Sequence, residues 1–151
     1  HGGHLISGRF PLSDRAGAFP FFANTSGNPG MSTLRPLPGE CYENRFTVAA
    51  MTAAAVIEGG LAPAPHAILL DAEGAETLVL RGFGGHLAAS GLTHMVLEAP
   101  NDFLASRNPA ELHALLEQAG FVLSHLERRE NTAHALSNFL AQRPSATVQP
   151  L

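Results

Sequence analysis

A chain of 151 residues has the size of one domain and can bury roughly 70% of the surface its unfolded form exposes. With 45% hydrophobic and 15% charged residues it has a globular composition, and its longest apolar runs fall far short of the roughly 20 residues that a membrane helix needs, so no membrane partner is expected. A net charge of -4, with nine arginines and no lysine, provides no basic stripe for a phosphate backbone and argues against nucleic acid as a partner.

In chain order, Leu5 to Phe10 and Phe19 to Ala23 read as short strands separated by the turn-rich "PLSDRAG". Asn24 to Glu40 is rich in Gly, Pro, Ser and Asn and reads as a long, mobile loop. Cys41 stands alone, which excludes an intrachain disulfide and a cysteine zinc cluster. Phe46 to Val48 then leads as a strand into a helix from about Ala50 to Glu58, stopped by Gly59 and Gly60.

Ala67 to Leu70 is apolar without alternation, the pattern of a strand buried on both faces of a parallel sheet. The helix that follows places Ala75, Leu78 and Val79 on one face and stops at Gly82. His94 to Glu98 is a further apolar strand ending on an acid. Asn108 as cap, Pro109 as first residue and Glu111 three residues after the cap open the clearest helix, whose stripe is Leu112, Leu115, Leu116 and Ala119. Phe121 to Leu126 and Leu136 to Ala141 form an antiparallel pair, and the tail from about 144 to 151 reads as loose. The fold class expected is α/β, in one domain over 1–151, with a mostly parallel sheet flanked by helices and a C-terminal antiparallel hairpin.

In such sheets ligands bind at the carboxyl ends of the strands. Asp71, Glu73, Glu98 and Asn101 fall there. A carboxylate at that edge can accept a hydrogen bond from a ligand, act as a base or help to hold a metal. Asp71, at the mouth of an apolar strand, would be costly without a partner. Glu73 also suits the helix dipole, and Glu76 reads as solvent-facing or locally paired.

The stretches "AILLDAEGAETLVLRGFGGHL", "HMVLEAP", "AGFVLSHLE" and "NFLAQR", with "FPLSDRAGAFPFF" and "NPGMSTL" upstream, resemble the FkbM-type methyltransferases from about His4 to Arg143. That family carries an Asp-x-Glu-Gly-x-Glu motif after its fourth strand and a glutamate ending its fifth. The resemblance implies a Rossmann-like fold and S-adenosylmethionine as cofactor. It implies methylation of a small-molecule hydroxyl, on a sugar or a secondary metabolite. Asp71, Glu73 and Glu98 would be catalytic, with Asp71 as the base or the group orienting the acceptor; Ser13, Asp14 and Asp71 would contact the cofactor. Leu69 stands where the family carries a lysine, and Thr52 where it carries an aspartate.

The chain begins near the family's third strand, and "HGGHL" has no preceding strand with which to act as the glycine-rich cofactor loop. An N-terminally truncated, acceptor-side part of a methyltransferase is therefore expected, an enzyme in its full-length form. The alternative is a non-catalytic domain of the same fold. The missing first strand would sit beside Ala67 to Leu70, so a homo-oligomer through that open sheet edge is expected. The histidines form no helical His-x-x-x-His pair and no metal site is assigned, although Asp71 and Glu73 leave open a metal-dependent hydrolase. With no basic and apolar leader at the N-terminus, the compartment expected is cytoplasmic.

Overall fold

The computed structural model describes residues 8, 10–25, 29–36, 41–89, 91–100, 103–106, 109–127 and 136–144. Its elements in order are β1 (Gly17–Ala23), β2 (Asn44–Ala50), α1 (Ala53–Glu58), β3 (Ala67–Leu70), α2 (Glu76–Gly82), β4 (His94–Pro100), α3 (Phe103–Ser106), α4 (Ala110–Gln118), β5 (Val122–Glu127) and β6 (Leu136–Gln142). The chain divides into two compact units, His1–Ala64 with Ala72–His86, and Pro65–Asp71 with Leu87–Leu151. The expected strand at Leu5 to Phe10, the residues Asn101 and Asn108, and the tail beyond Pro144 lie outside the described residues, apart from Gly8 and Phe10.

In the first unit β1 and β2 pair antiparallel, with Phe21 opposite Phe46 and their rings 5.3 Å apart. Arg15 lies over the Phe19 ring and Arg45 over Phe22, so both cations cover aromatic surface. Part of the expected long loop is ordered against this pair. Pro29–Met31 makes a short 3-10 turn, and Thr33 is buried and exchanges backbone hydrogen bonds with Phe22 at 2.9 Å each. Thr52 caps α1, its Oγ1 accepting from the Ala55 amide at 3.0 Å, so this helix starts three residues later than the sequence suggests.

In α2 the buried residues are Thr77, Val79, Leu80 and Gly82, whereas Leu78 is only half-buried. Gly82 is more than a stop signal. A Cβ placed there would run into the backbone carbonyl of Ser13, so only glycine allows this approach.

The second unit is a four-stranded sheet in the order β3-β4-β6-β5. Only β3 and β4 are parallel neighbours; β4–β6 and β5–β6 pair antiparallel, as does β1–β2. The described sheets are thus mixed and mostly antiparallel in their pairing, against the mostly parallel sheet expected. The cause is β6, which returns between β4 and β5 and replaces one parallel contact with two antiparallel ones. The hairpin of β5 and β6 is present as expected.

Alternation defines the layers of this unit. Met95, Leu97 and Ala99 of β4, and Ser137, Phe139 and Ala141 of β6, point to one buried face. Phe103, fully buried, joins three elements there, its ring 5.2 Å from Phe139 and 5.3 Å from His113 of α4. In α4 Leu112 and Leu116 are buried as expected, as is Ala119 at its C-cap, with Leu115 half-buried. Pro109, rather than Asn108, occupies the cap position. Arg143 closes the far end: Nε donates to the Leu92 carbonyl and Nη2 to that of Leu87, both at 2.8 Å, and the guanidinium lies over Phe121.

β3 departs from its expected burial on both faces. Leu70 is buried and Ile68 half-buried, but Ala67 is exposed and Leu69 is 79% exposed. As the last strand on its side of the sheet, β3 has one covered face and one open face.

The contact at Gly82 can be tested through stability. Gly82→Ala is expected to destabilise the protein by about 1–3 kcal/mol in urea unfolding, because the added methyl meets rigid backbone. Gly85→Ala, where nothing lies within 4 Å of the new atom, is expected to stay within about 0.5 kcal/mol of the parent.

Candidate functional site

The expected site residues are divided between the two units. In the second unit the parallel register pairs Leu70 with Leu97, and both are buried. β3 ends at Leu70; continued by one residue, the same register would bring Asp71 level with Glu98, which is turned away from that buried face. Asp71 is exposed and Glu98 half-buried. Glu98 does not end its strand as expected, because β4 continues to Pro100 and pairs with β6 there. On its other side Glu98 is the register partner of Asn138. Glu98 and Asn138 are therefore neighbours across β4 and β6, with Asp71 directly after the end of β3, two carboxylates and an amide that can offer acceptor and donor groups to a polar ligand.

Asn138 was missed in the sequence, although it lies within a motif that carries the resemblance. Its signal is the alternation in "LSNFLAQ", which places it opposite the buried Ser137 and Phe139. Only the strand order reveals that its neighbour is Glu98.

In the first unit, Ala72 to Ala75 forms a turn. Glu73 and Gly74 both have positive φ, 49° and 90°, and the Ala75 amide donates to the Ala72 carbonyl at 3.1 Å. Two positive φ values at the centre of a turn suit Gly well and Glu poorly, at about 1–2 kcal/mol for the residue with a Cβ. Glu76 offsets this. Its Oε1 accepts from the amides of Ala72 at 3.0 Å and Gly74 at 3.1 Å, so it pairs locally and fixes the turn from the first residue of α2. Within the acidic motif, Glu76 holds the backbone, while Glu73 is the residue kept in a strained conformation, a feature that concentrates at functional positions.

Ser13 is fully buried, and its hydroxyl donates to Asp14 Oδ1 at 3.2 Å. Its amide donates to the Met51 carbonyl at 2.8 Å, and the Met51 amide to Pro11 at 3.1 Å. The serine thus anchors the segment, and the half-buried Asp14 carboxylate, 3.7 Å from Arg15, is the group that can meet a ligand. A hollow of about 200 Å³ in this unit is lined mostly by apolar residues, among them Pro11, Leu12, Phe21, Leu34, Ala75 and Val79.

Among the described residues no group of three or more His, Cys, Asp or Glu is placed to hold a metal ion. His86 pairs with Glu58 at 3.1 Å and His113 with Glu117 at 3.3 Å. No described helix is long and apolar enough to cross a membrane. Comparison with protein-family models, with curated proteins and with solved structures gave no match.

The role of Glu76 leads to a measurable difference. Glu76→Ala leaves two turn amides without their acceptor and is expected to destabilise by about 1–3 kcal/mol in denaturant unfolding. Glu76→Gln keeps a carbonyl acceptor and should retain most of that stability. Equal losses in both variants would mean that the charge rather than the hydrogen bonds fixes the turn.

Proposed function

We propose that the chain is the acceptor-side part of a methyltransferase that uses S-adenosylmethionine to methylate a hydroxyl of a small molecule, a sugar or a secondary metabolite. The observation that carries this reading is the parallel register of Leu70 with Leu97, which continued by one residue sets Asp71, at the start of the acidic motif, beside Glu98. A Rossmann-like arrangement is part of the proposal. It is supported by strand direction: β3, β4 and β5 run the same way, and β6 alone runs against them.

The residues suit such a cofactor in part. The carboxylate of Asp14 can accept from a ribose hydroxyl or an amine, and the hollow of about 200 Å³ can take one flat ring. It is smaller than the roughly 300 Å³ at which ligand pockets begin, so the hollow holds only a portion of the molecule. When bound, the cofactor supplies an electrophilic methyl group. The work left to the chain is alignment and removal of one proton. Asp71, exposed just beyond the strand end, takes the proton from the acceptor hydroxyl, and Glu98 and Asn138 orient the acceptor.

A second reading, a non-catalytic domain of the same fold, is favoured by the exposed β3 edge. Calorimetry with S-adenosylmethionine and with its demethylated product separates the two. Binding of both is expected, and Asp14→Ala should weaken it by about 10- to 100-fold, the value of a hydrogen bond to a charged group. With a labelled methyl donor and a panel of hydroxylated acceptors, Asp71→Asn should lower turnover by about 10²–10⁴-fold and cofactor affinity far less. No heat from a folded protein with either compound would favour the non-catalytic reading.

A further inference from the structure

In the first unit the group offered to the cofactor is the Asp14 carboxylate, a short side chain on a bend of the backbone. A bend alone does not aim a carboxylate. Arg15 contributes little to its direction, because the ion pair spans 3.7 Å and the arginine side chain is 71% exposed, where such pairs are worth almost nothing.

The firmer hold comes from Ser13, which is fully buried. Its hydroxyl donates to Asp14 Oδ1 at 3.2 Å. Its amide donates to the Met51 carbonyl at 2.8 Å, beside Thr52, the cap of α1. Its carbonyl lies against Gly82, the last residue of α2: a Cβ at 82 would collide with the oxygen and stand 3.1 Å from the carbon, with the Ala53 amide nitrogen at 3.5 Å. That carbonyl carbon is bonded to the Asp14 nitrogen. The peptide group is planar, so a displaced Ser13 carbonyl turns the Asp14 backbone with it.

We propose that Gly82 and Ser13 are positioning residues for Asp14, an inference that rests on the reading of Asp14 as a contact of S-adenosylmethionine. The helix ends on glycine so that the Ser13 carbonyl can reach it. The position so reached passes to the Asp14 carboxylate by two routes, the planar peptide and the serine hydroxyl. Ser13 therefore acts through Asp14 rather than on the cofactor. α2 also gains a role as a spacer within this unit. Glu76 holds the acidic turn at its first residue and Gly82 the Ser13 carbonyl at its last, six rises or about 9 Å away.

Calorimetry of the whole chain with S-adenosylmethionine and with its demethylated product tests this. Ser13→Ala removes only the hydroxyl, and Gly82→Ala pushes the carbonyl away. Each should weaken binding of both compounds by about 3- to 10-fold, the worth of one hydrogen bond. On an Asp14→Ala background neither should weaken it further, because the group through which they act is gone. Leu116→Val, a change in the core beneath α4, should lower stability and leave affinity as it was. In the ligand-free chain, the carboxyl carbon resonance of Asp14 should move in Ser13→Ala, which decides the matter even where Gly82→Ala does not fold.

An undiminished affinity in both single variants overturns the proposal, and so does an unmoved Asp14 resonance. Equal losses with and without the Asp14 carboxylate also overturn it, since they would mark a general disturbance of the unit. A folded parent chain that binds neither compound removes the cofactor reading and this proposal with it, whereas binding that both variants keep removes the proposal alone.

Discussion

The parallel register of β3 on β4 is the constraint on which the second unit and its candidate site depend. Pairing Leu70 with Leu97 buries both, and a slip of one residue would turn Leu70 to the open face and Leu69 to the core. Continued one residue past the end of β3, the same register would bring Asp71 level with Glu98. A burial requirement thus positions the polar groups: the apolar residues choose the alignment, and the carboxylates follow from it. β6 then sets Asn138 against Glu98 from the other side.

The turn after Asp71 shows a different balance. Positive φ at both Glu73 and Gly74 makes the backbone reverse within two residues, and the glycine accepts this more readily than the glutamate. Glu76 compensates by collecting two amides of the turn with one oxygen. The acids that cluster along this stretch have three separate roles. Asp71 is carried to a strand end by the register, Glu76 ties down the turn, and Glu73 occupies a conformation that a side chain rarely adopts.

Much of this was legible in the sequence because local signals govern it. Apolar runs marked β3 and β4, alternation marked β6, and the stripe of Leu112, Leu116 and Ala119 marked α4. Pairing was less legible because it depends on residues far apart. Nothing local to Leu136–Gln142 says that this strand enters between β4 and β5. The unalternating "AILL" suggested burial on both faces, but a run of four apolar residues cannot distinguish a central strand from an edge strand whose Leu69 is exposed. Gly82 suggested a helix stop, and its need to pass the Ser13 carbonyl appears only in three dimensions. Of the site, the carboxylates were visible as residue types in a motif, whereas Asn138 required the strand order.

The central claim is that Asp71 and Glu98 act as one unit on a methyl acceptor because the register sets them side by side. A double-mutant cycle of Asp71→Asn and Glu98→Gln, read in single-turnover methyl transfer, tests this most directly. Groups that act together lose most of their effect when either is removed, so the double variant should be little slower than the worse single variant. Losses that multiply would show that the two carboxylates act independently and would contradict the claim.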